Sequence, residues 1–142
     1  MPVKEKKKVL FVCTHNSARS QMAEGLMNAF YGDRFIACSA GTHPTSLNPY
    51  AVRAMEELDV DISKQRSKSL GAYAGEEFDY VVTVCDSAKE GCPVFPGAKK
   101  LLHAGFENPS EFSGSRKQVL AGFRRVRDEI RAWMKENFSS ER

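Results

Sequence analysis

The sequence lacks any long hydrophobic run, and this absence excludes a helix that crosses a membrane. Such a helix needs about 18 consecutive apolar residues, and no stretch of the 142-residue chain approaches that length. Residues 1–12 combine lysines with a short Val-Leu-Phe-Val stretch, which is too brief for a signal-peptide core and has no cleavage site. We therefore expect a cytoplasmic protein without a membrane partner.

A large excess of charge of either sign is also absent. The 21 lysines and arginines against 18 aspartates and glutamates leave a net charge of +3. Basic residues cluster at 4–8 and at 124–131, but acidic residues interrupt the second cluster. We interpret both clusters as solvated surfaces and expect no nucleic-acid partner.

Internal repeats, low-complexity tracts and long linkers are absent, so residues 1–142 are expected to form a single domain. Apolar residues make up 42% of the chain and are spread along its length, which excludes a disordered protein. The chain contains four cysteines. In a cytosolic enzyme these are more typical of chemistry than of structural disulfides.

Short apolar strands alternate with amphipathic helices. Strands are predicted at residues 9–12, 35–40, 80–84 and 99–102, and helices at 20–30, 49–59 and 119–138. The alternation predicts right-handed βαβ units and hence an α/β fold with a three-layer, doubly wound, four-stranded parallel sheet. Ligands of such sheets bind beyond the carboxyl ends of the strands. Cys13 follows the first strand and Cys85 lies at the end of the third, so both are expected at this edge.

The loop between the first strand and the first helix carries Cys13 and Arg19, separated by five residues. Backbone N–H groups of such a loop can converge on a tetrahedral oxyanion, and the helix N-terminus adds partial positive charge. Arg19 supplies a planar pair of donors. The same field, with a hydrogen bond from Ser20, would stabilise Cys13 as a thiolate nucleophile. The predicted oxyanion-binding residues are Thr14, His15, Asn16, Ser17, Ala18 and Arg19.

Other interpretations of this loop are weaker. A nucleotide-binding P-loop would end in Gly-Lys-Ser or Gly-Lys-Thr, and that ending is missing. His15 lies close to Cys13 in the chain, but we expect its ring to point outward rather than to form a Cys–His pair. Asn16 is expected to fix the loop by hydrogen bonds to its backbone.

Residues 9–25, VLFVCTHNSARSQMAEG, resemble the N-terminus of low-molecular-weight tyrosine phosphatases and of the arsenate reductases related to them. The likeness to the reductases continues through residues 39–41, 48–49, 61–63, 82–85 and 125–130 and covers nearly the whole chain. It implies a low-molecular-weight phosphatase-like fold. Because phosphate and arsenate share charge and shape, the loop alone does not choose between the two families.

Cys85 and Cys92 resemble the redox segment of thioredoxin-coupled arsenate reductases, and a phosphatase has no need for such a pair. A metal site is disfavoured, because the pair lacks the two-residue gap common in zinc sites and no histidine cluster completes it. Two structural core thiols remain an alternative. The resemblance implies a relay of Cys13, Cys85 and Cys92 in arsenic detoxification, with arsenate as substrate, thioredoxin as reductant, and neither cofactor nor metal. Cys38 is interpreted as a small core residue.

Two positions depart from the family pattern. Residues 105–109 match the loop that carries a general-acid aspartate, but Asn108 stands at the aligned position. A tyrosine phosphatase, the alternative function, would be hindered more than a reductase, because a phenolate leaving group benefits from protonation. Glu107 is a candidate for a substitute acid.

The second departure concerns a cation. Some reductases of this family bind potassium near the oxyanion loop through an asparagine, a glutamate, a serine and an aspartate. Asn16, Glu24 and Ser39 match this set, whereas Lys68 aligns with the aspartate. Either its ammonium replaces the ion or Lys68 faces solvent, and the sequence leaves both open.

Overall fold

The computed structural model describes residues 6–85 and 97–138. Within them, four parallel strands form one sheet in the order β2-β1-β3-β4. The strands are β1 (Lys7–Cys13), β2 (Phe35–Gly41), β3 (Phe78–Thr83) and β4 (Ala98–His103), and the helices are α1 (Arg19–Phe30), α2 (Pro49–Glu56) and α3 (Arg116–Phe138). Two short 3₁₀ helices span Leu70–Tyr73 and Pro109–Glu111. The predicted parallel α/β sheet flanked by helices is confirmed.

The central strands are β1 and β3. Val9, Leu10, Phe11 and Val12 have no solvent exposure, as expected for a strand whose two faces are both covered. The chain leaves β1 for β2 on one side and later returns to β3 on the other, so the strand order reverses between β1 and β3. Such a reversal opens a crevice beyond the carboxyl ends of the strands.

The two faces of the sheet carry separate clusters of apolar side chains. The three α-helices of the described residues contribute to the cluster on one face, where Met22, Leu26, Met55, Phe123 and Ile130 belong to the same apolar core as Phe11 of β1. On the other face, Leu10, Val12 and Val81 pack with Leu70 and Tyr73 of the first 3₁₀ helix. Among the described residues, no helix is long and apolar enough to span a bilayer.

Some element boundaries differ from prediction for local reasons. β1 starts at Lys7 rather than Val9, since Lys7 and Lys8 pair with Phe35 and Ile36 of β2. α2 ends at Glu56, three residues early, because the chain turns at Asp59 with a φ of 58°.

The third helix, α3, starts at Arg116 rather than Val119. Ser115 and Gln118 cap it reciprocally, with Gln118 N donating to Ser115 Oγ at 3.2 Å and Ser115 N donating to Gln118 Oε1 at 2.8 Å. This capping box is visible in the sequence as Ser-x-x-Gln, but the prediction relied on the apolar spacing that begins later.

Candidate active site

The predicted oxyanion loop lies at the crevice between β1 and β3. Cys13 ends β1 and Arg19 begins α1, so residues 14–18 form the connection. Cys85 lies two residues beyond β3, and Val84 N donates to Val12 O at 2.9 Å just before both cysteines. The structure therefore places Cys13 and Cys85 at the carboxyl ends of neighbouring strands, on the edge that the sequence predicts.

The described cysteines differ in covalent state. Cys13 and Cys38 are free thiols, whereas Cys85 is disulfide-bonded. Neither free thiol is therefore the partner of Cys85. Cys92, which the sequence predicts to act with Cys85, lies outside the described residues.

A buried chain of hydrogen bonds leads to the thiol of Cys13. The backbone N–H of Lys68 donates to Asn16 Oδ1 at 2.7 Å, which turns the Asn16 amide nitrogen towards Ser20. That nitrogen donates to Ser20 Oγ at 2.7 Å. Ser20 Oγ in turn lies 2.9 Å from Cys13 Sγ. Its hydroxyl is therefore within hydrogen-bond distance of the sulfur and can donate to it.

Asn16 holds the loop in a way the sequence did not predict. Its φ of 49° is in the left-handed region, which asparagine tolerates better than most residues. Its side chain bonds to Ser20, Gln21 and the backbone of Lys68 rather than to the loop backbone. Gln21, also fully buried, donates to the Asn16 carbonyl at 3.0 Å. The expectation of bonds from the Asn16 side chain to its own loop was therefore wrong.

The carbonyl groups of the loop are bonded to the neighbouring segment 43–48. His43 N donates to Thr14 O at 2.8 Å, Thr45 N to His15 O at 3.2 Å, and Asn48 N to Ser17 O at 2.9 Å. In a trans peptide the N–H points opposite to the C=O, so this arrangement favours N–H groups that face the centre of the loop. The predicted anion-binding backbone is consistent with these bonds.

His15 is exposed, in agreement with its predicted outward orientation. Its Nδ1 lies 3.1 Å from the carbonyl oxygen of His43. Since a carbonyl only accepts, Nδ1 is the protonated nitrogen in this bond. The imidazole is thereby tied to the neighbouring segment rather than to Cys13.

Arg19 is buried at 3% exposure, and its Nη1 donates to Phe106 O at 3.1 Å. This bond connects the oxyanion loop to the loop that contains Asn108. Asn48 makes a second connection, since its backbone bonds to Ser17 and its Nδ2 lies 3.4 Å from Ser110 Oγ. The fixed guanidinium suits binding of a tetrahedral anion through two oxygens.

Asn108 and Glu107 differ in what they bind. Asn108 Oδ1 accepts a hydrogen bond from Ser110 N at 3.0 Å and so caps the 3₁₀ helix Pro109–Glu111. Glu107 Oε1 lies 2.8 Å from Arg125 Nη2 on α3. This ion pair ties the Glu107 carboxylate to α3.

The side chain of Lys68 is 26% exposed, but its ammonium contacts protein oxygens, which favours the first alternative. Its Nζ donates to Arg66 O at 2.6 Å and lies 3.7 Å from Glu24 Oε1. Ser39 Oγ donates to the same carboxylate oxygen at 2.6 Å. With an ammonium already beside Glu24, these residues do not fit a potassium ion. Across residues 6–85 and 97–138, no cluster of three His, Cys, Asp or Glu side chains is placed to hold a metal.

Gly41 is a site residue that sequence reasoning missed. It pairs with Cys13 across the sheet, and a Cβ at this position would lie 2.5 Å from Thr14 O and 2.9 Å from Cys13 O. Both atoms are backbone atoms of the oxyanion loop, so they cannot move without changing the loop. The only signal in the sequence is a glycine at the end of the second predicted strand.

Gly41→Ala is therefore expected to displace the oxyanion loop and weaken phosphate binding. Overpacking costs about 1–3 kcal/mol, which, if it falls on the anion-binding conformation, corresponds to an affinity lower by about fivefold to 150-fold. Titration calorimetry with inorganic phosphate measures this affinity. Gly71→Ala is the matched control, because a Cβ there meets only Ser69 Oγ at 3.6 Å. Equal affinity in the two variants would contradict the role of Gly41.

Comparison with known proteins agrees with this geometry. Residues 8–140 match the family model described as low molecular weight phosphotyrosine protein phosphatase. An arsenate reductase of Halalkalibacterium halodurans is 44% identical over 125 residues, 88% of this chain and 90% of that protein. A solved arsenate reductase in the phosphate binding state is 30% identical with a TM-score of 0.78, and the match covers 92% of this chain and 95% of the other.

A third relative is a solved arsenate reductase that is named for its reductant. The thioredoxin-dependent arsenate reductase of Corynebacterium glutamicum is 25% identical with a TM-score of 0.62, and the match covers 95% of this chain and 63% of that one. The similarity in sequence and structure thus extends over nearly all of the chain. The chain belongs to the low molecular weight phosphotyrosine protein phosphatase family and, within it, to the arsenate reductases.

Proposed function

We propose that this protein reduces arsenate to arsenite in the cytoplasm, through a covalent adduct on Cys13 and a disulfide relay recycled by thioredoxin. The observation that carries the proposal is that two cysteines lie at the ends of neighbouring strands. Cys13 is a free thiol in an oxyanion loop, and Cys85 is disulfide-bonded. Phosphate-ester hydrolysis needs the first feature only. The relatives named arsenate reductase support the same activity.

The first step forms an arsenic–sulfur bond. Arsenate is held by the loop N–H groups and by Arg19, and the Cys13 thiolate attacks arsenic. A protonated arsenate oxygen leaves as hydroxide or water. Ser20 Oγ, 2.9 Å from Cys13 Sγ, is placed to donate a hydrogen bond to this thiolate during the attack.

The next steps transfer electrons through thiols. In the reduced enzyme, whose Cys85 disulfide has been opened by the reductant, the Cys85 thiolate attacks Cys13 Sγ and a disulfide forms. The electron pair of the sulfur–arsenic bond stays on arsenic, which leaves as arsenite. The Cys92 thiolate then attacks Cys85 Sγ, which forms a Cys85–Cys92 disulfide and releases Cys13 as a thiolate. A dithiol reductant returns two electrons and two protons to that disulfide. Neither a metal nor an organic cofactor takes part in this sequence.

Thioredoxin is the proposed dithiol. The name of the Corynebacterium relative supports this assignment. The decisive experiment follows NADPH consumption with thioredoxin and thioredoxin reductase, with and without arsenate, beside an aryl-phosphate assay. We expect arsenate-dependent consumption of one NADPH for each arsenite formed. Aryl-phosphate hydrolysis without arsenate-dependent consumption would instead assign the protein to the tyrosine phosphatases.

The proposed general-acid position gives a separate prediction. Asn108→Asp can keep the cap on Ser110 N with one oxygen and offer the other as an acid. We expect aryl-phosphate hydrolysis to rise by about 10²-fold, the scale of a positioned general acid. Arsenate reduction should change far less, because hydroxide or water is the leaving group. Steady-state rates with p-nitrophenyl phosphate and with arsenate measure the two effects.

The control for this variant is Asn137→Asp, which makes the same chemical change on α3, where Asn137 bonds only to the helix carbonyl of Trp133 among the described contacts. It should leave both rates unchanged. If Asn108→Asp hydrolyses aryl phosphate no faster than Asn137→Asp, Asn108 does not occupy the general-acid position.

A further inference from the structure

The ammonium of Lys68 lies among oxygen atoms beside the oxyanion loop. It donates to the Arg66 carbonyl at 2.6 Å and lies 3.7 Å from Glu24 Oε1, which also accepts from Ser39. The side chains are mostly buried, with 26% of Lys68 and 14% of Glu24 exposed. The described contacts of Nζ are thus a carboxylate and a backbone carbonyl, as for a bound cation.

The Lys68 ammonium compensates the negative charge of the Glu24 carboxylate. A carboxylate that is withdrawn from water is costly unless it is paired. Burial raises the pKa of Glu24, while the hydrogen bond from Ser39 and the charge of Lys68 oppose that rise. Ser39 is a neutral donor, so Lys68 supplies the formal positive charge in this contact.

The same residue also begins the hydrogen-bond chain to Cys13. The backbone N–H of Lys68 donates to Asn16 Oδ1, and Asn16 Nδ2 donates to Ser20 Oγ, which lies 2.9 Å from Cys13 Sγ. The side chain of Lys68 holds this N–H in place, because it ties residues 66 and 68 to Glu24 on α1. Charge compensation at Glu24 is thereby linked to the hydrogen-bond chain that ends at the Cys13 sulfur.

We propose that Lys68 is a positioning residue whose tethered ammonium acts as a built-in cation, so that the oxyanion loop needs no dissociable one. Lys68→Asp would remove this cation and place a second carboxylate beside Glu24, Ser39 Oγ and Arg66 O. Such an all-oxygen, negatively charged group suits a hard cation such as potassium. Lys68→Met would remove the charge without adding an oxygen ligand. The proposal rests on Cys13 as nucleophile, but its tests need no arsenate turnover.

Thermal unfolding in potassium chloride and in tetramethylammonium chloride, at equal ionic strength, is the first test. The wild type should have the same Tm in both salts. Lys68→Asp should have a lower Tm in tetramethylammonium and should regain roughly 2–4 °C or more in potassium, the shift that about 1 kcal/mol produces at this size. Lys68→Met should have a lowered Tm that does not depend on the salt.

Lys64→Asp is the matched control, because it makes the same charge change at an exposed position of the same segment. It should resemble the wild type in both salts. A potassium-dependent Tm in the wild type, or a Lys68→Asp variant that behaves like Lys64→Asp, would overturn the proposal.

The coupling to Cys13 has its own readout. Alkylation of Cys13 by iodoacetamide at pH 6.5, followed by peptide mass spectrometry, reports how much thiolate is present. Lys68→Asp should react about tenfold more slowly in tetramethylammonium, the scale of a hydrogen bond to a charged group, and potassium should restore the rate. An unchanged rate in Lys68→Asp and Lys68→Met would limit Lys68 to stability and reject the positioning role. If these results hold and arsenate is not reduced, only the proposed function fails.

Discussion

Cys13→Ser is expected to abolish arsenate reduction and any aryl-phosphate hydrolysis, with both rates lowered by about 10⁴-fold or more. A serine hydroxyl is a far weaker nucleophile than a thiolate, and the Ser20 hydroxyl, which lies 2.9 Å from the sulfur it would replace, is not a base that could activate it. Parallel measurement of arsenite production and p-nitrophenol release checks both activities. Either reaction at the wild-type rate would show that another residue is the nucleophile.

Cys38→Ser is the control for this substitution. Cys38 is the other free thiol among the described residues, and it packs on the sheet face opposite the α-helices. Burial raises the pKa of the Cys38 thiol, which makes it a poor nucleophile. The variant should keep both activities, as expected for the small core residue that the sequence predicts.

Cys92→Ser is expected to stop the enzyme after a single turnover. Without the third thiol, the Cys13–Cys85 disulfide has no internal route to exchange, so each chain should release one arsenite and then stall. Arsenite quantification gives the stoichiometry. Mass spectrometry of peptides digested without reductant should show the peptides of Cys13 and Cys85 joined, with the loss of two hydrogen atoms.

The companion variant Cys85→Ser separates the two halves of the relay. It should form no arsenite even in the first turnover, because the thiol that is proposed to attack Cys13 Sγ is missing. Repeated turnover by Cys92→Ser would refute the three-thiol relay. A trapped disulfide that involves Cys38 would refute the assignment of Cys85.

The placement of the candidate site residues at one edge of the sheet could be predicted because it depends on topology. Alternating strands and helices require a parallel sheet, and a parallel sheet brings the residues after β1 and β3 to one edge. The position of Cys13, Arg19 and Cys85 at this edge can therefore be predicted without any knowledge of side-chain contacts. Ser20 is close to Cys13 because only the short loop 14–18 and the first residue of α1 lie between them.

The supporting contacts could not be predicted, because they join segments distant in the sequence. Lys68 and Asn16 are 52 residues apart, and Arg19 and Phe106 are 87 apart. Their geometry depends on the path of irregular loops, which hydrophobic periodicity does not describe. Gly41 belongs to the same group, since the reason for a glycine is the approach of another backbone.

The backbone pairing of β1 with β3 has an evolutionary consequence. Val12 pairs with Thr83, and neighbouring strands lie about 4.8 Å apart whatever helices surround them. A hydrolase ancestor with this sheet could therefore gain a second sulfur after β3 by point mutation and have it beside the existing nucleophile at once. Conversion from ester cleavage to electron transfer needs no change in the sheet. The end of β3 is accordingly the position at which protein engineers can introduce new redox groups into hydrolytic members of the family.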